Sequence, residues 1–262
     1  MSAWGSGRVE VSGSHLAYHR TGGDGPPLVL SHGLTDNGLC WGRLAAALAP
    51  DFDIIMLDAR GHGDSSPIPA GGHDPAQDIG QAIQQLGLVS PIVMGHSVGG
   101  RATAAYANAH PDMVSKVVLE DPPFLPLIDA AAADRRAGKF RQQVEGFAAM
   151  SQPELIAMGQ KTSPLWHDDD FPAWAGAKHQ VDPRAMPVYS RPWQETLTAI
   201  TAPTLLIHGV SAQGGLVSPE IAEEARALNP NIVTVEIAGA GHNTRRENFP
   251  DYLAAVQAFL KS

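Results

Sequence analysis

Three short apolar runs recur along the first hundred residues: "PLVLSHG" (27–33), "FDIIMLDARGHG" (52–63) and "PIVMGHS" (91–97). Each lacks polar alternation and stops at a glycine or beside an acidic or hydroxyl residue, which predicts strands buried on both faces, as in a parallel sheet. Between them, "LCWGRLAAALA" (39–49) and "DIGQAIQQLG" (78–87) space their apolar residues as helices do. Strand and helix therefore alternate, and the expected fold is an α/β sheet with right-handed crossovers. The alternation resumes with "VSKVVLED" (114–121), "TLLIHG" (204–209) and "IVTVEIAG" (232–239). A helix over 218–228 is capped by Ser218 and has an acidic first turn, and a last helix covers 248–260. Upstream, "RVEVSGSHLAYHRTGG" alternates around Gly-Ser turns and predicts an antiparallel hairpin at the sheet edge. Between Pro122 and Trp193 the rhythm breaks into a Pro-, Ala- and Met-rich stretch without a strand-like run. The expected organisation is a core of residues 1–121 and 194–262 with a helical insertion, 122–193, over the sheet.

The candidate chemistry sits where the third run ends. Gly95-His96-Ser97-Val98-Gly99 is a G-x-S-x-G between a buried strand and an Ala-rich helix. A serine hydroxyl is a weak nucleophile at neutral pH unless a base takes its proton, and a sharp strand-to-helix turn exposes its oxygen. Such a turn leaves no room for side chains two residues either side, hence the glycines. It also aims the free N–H groups of the following helix at the site, where an oxyanion would develop. A Gly-flanked structural turn is the bland reading of the same five residues.

Four motifs in order, "SHGLTDNGLCW", "LDARGHGDS", "GHSVGG" and "AGAGHNTRRENFP", make the chain resemble the α/β-hydrolase superfamily over nearly its whole length. The resemblance implies a mostly parallel eight-stranded sheet flanked by helices with a helical cap. It implies a Ser97 nucleophile, and backbone N–H groups of Leu34 and Val98 as an oxyanion hole. His242, in a Gly-rich loop between the last strand and last helix, has the place of the base in the order Ser, acid, His. The acid departs from the commoner pattern, because "HGVSAQGGLVSPE" after the seventh strand holds no carboxylate before Glu220, which belongs to a helix first turn. As in zearalenone lactonases, the end of the sixth strand offers one instead: Glu120 or Asp121. Side chains alternate along a strand, so one of the two faces the site; Asp121, beside Pro122-Pro123, is the choice, and Glu120 is expected at a solvated or supporting position. Asp58 and Arg60 are expected to organise their own turn.

Composition narrows the partners. Among 262 residues, 27 Asp and Glu outnumber 18 Lys and Arg, and no basic cluster stands out, which argues against nucleic acid and anionic membranes. A single cysteine, Cys40, excludes an intramolecular disulfide. The N-terminal residues show no targeting pattern and no run approaches the roughly 20 apolar residues of a membrane span, so cytoplasmic residence is expected. The eleven histidines lack metal-ligand spacing, and neither metal nor cofactor is expected. The resulting expectation is a cofactor-independent serine hydrolase of a small apolar ester or lactone. Trp166, Trp174 and Trp193, with Phe124, Leu125, Leu127, Phe147, Met150, Met158 and Met186, would roof an apolar pocket or form the insertion's own core. Carbon–carbon bond or amide hydrolysis, and a non-catalytic ligand-binding role, stay open; the oligomeric state is not encoded in these motifs.

Overall fold

In the computed structural model, which describes residues 4–262, the apolar runs become strands of one eight-stranded sheet. The strands are β1 (Gly5–Val11), β2 (Ser14–Arg20), β3 (Pro27–Ser31), β4 (Asp53–Leu57), β5 (Ile92–His96), β6 (Lys116–Glu120), β7 (Thr204–Gly209) and β8 (Ile232–Ile237). The α-helices are α1 (Gly42–Leu48), α2 (Pro75–Gln85), α3 (Val98–Ala109), α4 (Ala130–Ala148), α5 (Gln152–Thr162), α6 (Phe171–Lys178), α7 (Pro219–Leu228), α8 (Thr244–Glu247) and α9 (Phe249–Lys261). Across the sheet the order is β1-β2-β4-β3-β5-β6-β7-β8. The hairpin β1–β2 joins β4 antiparallel, and every other neighbouring pair is parallel.

Burial on both faces explains the unalternated apolar runs. Val29, Ile55, Val93, Val117, Leu119 and Leu206 pack against Ile79 and Ile83 of α2, Ala104 and Tyr106 of α3, and Ala222 of α7. Their chain neighbours Leu28, Leu30, Ile54, Met56, Met94, Val118 and Leu205 point the other way, onto Leu44 and Leu48 of α1 and Tyr252, Val256 and Leu260 of α9.

Two consequences place the site. The chain runs outward from β3 to β4, then returns with β5 on the other side of β3. That reversal opens a crevice at the strands' carboxyl ends, where open α/β sheets bind ligands. Registers Ser31↔Gly95 and His96↔Glu120 then set the ends of β3, β5 and β6 side by side.

Between β6 and β7 lie α4, α5 and α6. Phe140 and Val144 of α4 pack with Val181, against which the half-buried Leu34, Ala185 and Met186 rest. Leu155, Phe171, Trp174, Ala175 and Ala177 close around Cys40 in a second small core. The two ends of the 122–193 stretch belong to the main core: Phe124 and Trp193 stack at 4.6 Å among the residues under α3. Among the described residues no helix is long and apolar enough to cross a membrane.

Candidate active site

Ser97 sits between β5 and α3 with φ 54° and ψ −125°, a conformation that L residues hold only when their surroundings force it. Its N–H donates to the Glu120 carbonyl at 2.9 Å and its carbonyl accepts the Arg101 N–H at 3.0 Å, so the turn is clamped from both sides. A Cβ on Gly95 would drive into the Gly99 carbonyl and the Thr103 hydroxyl; one on Gly99 would strike the Ser31 and His32 carbonyls. The G-x-S-x-G pattern is thus a packing requirement of β3, β5 and α3 meeting at one point.

Three side chains predicted from sequence converge there. His242 Nε2 lies 3.0 Å from Ser97 Oγ, and its Nδ1 lies 2.6 Å from Asp121 Oδ2. Asp121 is fully buried, and its φ of 40° turns the chain just past β6. Its carboxylate also accepts the N–H groups of Leu216 (2.8 Å) and Val217 (3.0 Å). The loop after β7, which lacks a carboxylate, therefore supplies backbone donors to the acid at β6. Glu220 is placed apart, in the first turn of α7, where the Ser218 hydroxyl lowers its pKa.

Leu34 follows the β3 end and Val98 is the first residue of α3. Among the described residues neither N–H donates to another protein group. Asp58 accepts the N–H groups of Gly38 and Asp64, and Arg60 pairs with Asp78 and the Val11 carbonyl, so both organise their own surroundings.

Of the two positions expected for Glu120, solvated or supporting, the structure shows the supporting one. Alternation points it to the opposite face from Asp121, and there it is fully buried. It accepts the Thr244 hydroxyl at 2.9 Å, the Arg245 N–H at 3.1 Å, the Arg245 guanidinium and the Tyr252 hydroxyl. Thr244 and Arg245 come directly after His242-Asn243, so Glu120 anchors the loop that carries His242. Glu247 closes the same loop from below by accepting the Gly241 N–H.

A buried charge network that the sequence reading missed extends from this anchor. Arg245 and Arg246 both reach Asp36, three residues past the end of the "SHG" motif. Lys178 of α6 donates to the Thr35 carbonyl and hydroxyl at 2.8 Å and lies 3.5 Å from Asp36. Burial would raise the Asp36 pKa, but Arg246, Lys178 and Arg245 outweigh it and hold the carboxyl far below the usual range. His96 is kept neutral by burial and by Arg245, and its Nε2–H donates to the His242 carbonyl at 3.0 Å. The available signal was the "TRRE" run beside His242: two arginines adjoining a buried loop require carboxylates nearby.

The tryptophans do not form the expected roof. Trp193 is core, 4 % exposed and stacked on Phe124. Trp174 and Trp166 sit in the insertion's own core with Phe147, Met150 and Met158. There they cover the cations, Lys178 over the Trp174 ring at 4.6 Å and Arg246 over Trp166 at 4.4 Å. Of the apolar residues expected to line a pocket, Met186 does so, in a cavity of about 500 Å³ under α4. Phe124, Phe147, Met150 and Met158 are spent on packing, and Leu127 is exposed.

A family model described as the alpha/beta hydrolase fold matches residues 26–245. The chain belongs to that family. It is 30% identical over 276 aligned positions to an N-formylmaleamate deformylase of Pseudomonas putida, covering 97% of this chain and 96% of that protein. A pimeloyl-[acyl-carrier protein] methyl ester esterase of Vibrio atlanticus is 29% identical over 82% of this chain and 87% of its own. A crystal structure of E-2-(acetamidomethylene)succinate hydrolase superposes with a TM-score of 0.84 at 25% identity, covering 99% of this chain and all of that one. These likenesses make this chain a hydrolase of the α/β-hydrolase fold.

Proposed function

We propose that this hydrolase cleaves a carboxylic ester or lactone through an acyl-enzyme on Ser97. The Ser97 oxygen attacks the carbonyl carbon while His242 Nε2 takes its proton and returns it to the leaving group. Asp121 holds the imidazole in the tautomer with Nδ1–H and stabilises the imidazolium as it forms. The Leu34 and Val98 N–H groups receive the oxyanion, and a water, deprotonated by the same histidine, releases the acid. The observation carrying this reading is the unbroken relay from Ser97 Oγ through His242 to Asp121, at 3.0 and 2.6 Å.

A second reading keeps the machinery and changes the leaving group from an alcohol to an amine. It is favoured by two relatives, the N-formylmaleamate deformylase and the 2-(acetamidomethylene)succinate hydrolase, whose names denote N-acyl compounds bearing carboxylates. Native protein and Ser97→Ala, assayed on nitrophenyl esters, lactones and N-acyl enamides, decide between them. Ser97→Ala is expected to lose at least about 10⁴-fold in kcat while keeping the native melting temperature. Substantial turnover by the variant overturns the serine mechanism, and the substrate with the highest native kcat/KM chooses the bond.

A further inference from the structure

The Gly33–Leu34 peptide lies against the nucleophile: a Cβ on Gly33 would come 3.3 Å from Ser97 Cβ and 2.6 Å from His96 Nδ1. A peptide group is planar and trans, so whatever holds the Gly33 carbonyl also aims the Leu34 N–H, which points the opposite way. Two donors hold that carbonyl. His32 donates from Nδ1 at 2.8 Å, its Nε2 being occupied by the Ala59 N–H, and the Asp36 N–H closes a four-residue turn onto it at 3.1 Å.

The third residue of that turn is strained. Thr35 stands at φ 65°, where a type II turn ordinarily places glycine or asparagine and a β-branched residue is an outlier. Such a conformation persists only where the surroundings over-determine it. Here they include Lys178, the last residue of α6, which donates to the Thr35 carbonyl and hydroxyl, both at 2.8 Å. The Thr35 carbonyl and the Asp36 N–H are two ends of one peptide, so Lys178 holds the plane that in turn holds Gly33. The lysine is itself buried, with Trp174 over its ammonium at 4.6 Å and Asp36 at 3.5 Å, which keeps it in one place. Beside it, Asn37 Nδ2 donates to Gln180 Oε1 at 2.9 Å, a second tie between the insertion and this loop.

We propose that Lys178 is a positioning residue for the oxyanion hole. Through the Thr35–Asp36 and Gly33–Leu34 peptides it keeps the Leu34 N–H aimed at the oxygen that becomes negative when Ser97 attacks. The donor thus belongs to the loop after β3 and its aim to the insertion, since α6 lies within residues 122–193. The proposal rests on the Ser97 acyl-enzyme reading and on Leu34 as an oxyanion donor. A misaimed N–H weakens the charged tetrahedral state far more than the neutral substrate carbonyl, so its loss falls on kcat and spares KM.

The test compares native protein, Lys178→Met, Thr35→Val, Thr35→Gly and the double variant Lys178→Met/Thr35→Gly on 4-nitrophenyl hexanoate, and measures inhibition of each by pentyl trifluoromethyl ketone. Ser97 Oγ adds to the carbonyl carbon of that ketone, its proton passes to His242 and the carbonyl electron pair moves onto oxygen, so the adduct reports the oxyanion hole. Lys178→Met should lower kcat at least about tenfold, short of the ~10²–10³-fold of deleting a donor, with KM within about threefold and ketone affinity falling in step with kcat/KM. Should Lys178→Met not fold, Thr35→Val, which deletes only the hydroxyl acceptor, carries the test with a severalfold loss in the same pattern. Glycine holds this backbone conformation without strain, so Thr35→Gly should stay within about threefold of native, and Lys178→Met should cost no more than about threefold in that background. An equal tenfold loss in both backgrounds, a loss carried by KM, or unchanged ketone affinity in Lys178→Met overturns the proposal while Ser97→Ala still abolishes turnover. Turnover that survives Ser97→Ala overturns the acyl-enzyme reading itself, and the proposal falls with it.

Discussion

Asp121 and Glu120 are adjacent carboxylates with different work, and the strand separates them. Asp121 receives the His242 imidazole and two backbone N–H groups; Glu120, turned to the other face, receives the loop that follows His242. Asp121→Asn keeps the size of the side chain but places an amide where an N–H must be accepted, so the histidine is held in the wrong tautomer. We expect kcat to fall about 10³- to 10⁴-fold with little change in melting temperature. Glu120→Gln should do the reverse of what a solvated position allows. It leaves the buried Arg245 short of a counter-charge, and stability should fall by about 3 kcal/mol or more in urea titrations. A stable, fully active Glu120→Gln protein would show that the anchor is dispensable. Ser97, His242 and Asp121 were legible because motif order and strand alternation name them without side-chain detail. Glu120 was legible as buried only from its partners, which lie more than 120 residues away in sequence, at Thr244, Arg245 and Tyr252.

At the scale of elements, one charge cluster joins four of them: the loop after β3 through Asp36, the end of β6 through Glu120, α6 through Lys178 and α8 through Arg245 and Arg246. Asp36 is the shared counter-ion. Asp36→Asn leaves Lys178 and Arg246 buried without compensation, and we expect a loss of about 3–5 kcal/mol. Lys178→Met should cost less, because Asp36 keeps both arginines and the methionine can pack on Trp174 as the lysine stem does. Chemical denaturation of the pair checks the order of the two losses; a Lys178→Met protein weaker than Asp36→Asn would mean that the insertion, not Asp36, is the hub. The strands, helices and edge hairpin were legible, since uninterrupted apolar runs and capped helices are local signals. The insertion's interior was not. Whether Trp166 and Trp174 face a pocket or their own core depends on which cations lie beneath them, and those cations come from α6 and from beside His242.

For the whole molecule, three buried histidines around the site tie folding to neutrality. His32 donates from Nδ1 to the Gly33 carbonyl and accepts the Ala59 N–H at Nε2, so both ring nitrogens are committed to the neutral form. His62 donates to the Arg60 carbonyl, and His96 donates to that of His242. Burial lowers the pKa of all three, that of His62 to about 3. In the unfolded chain the same residues titrate near 6.5, so below that pH the unfolded state binds more protons than the folded one. Stability is then complete above about pH 6.5, falls as the pH drops through that value, and keeps falling until the folded-state pKa is reached. Each histidine contributes up to about 1.4 kcal/mol per pH unit in this window. Acting in the same direction, they draw on a total stability of about 5–15 kcal/mol for a typical domain. Asp36 acts in the same direction lower down, because its depressed pKa makes its contribution vanish only when the pH falls below the ordinary carboxylate range. Urea unfolding between pH 8 and 4 should give a flat midpoint above about 7 and a decline from 6 downward. His62→Gln, which keeps a donor for Arg60 but does not titrate, should reduce the slope between pH 6 and 4 by close to one proton. A midpoint that stays level from pH 7 to 5 would mean that these imidazoles take up protons inside the folded protein, and that the neutral network around the site is not what holds it together.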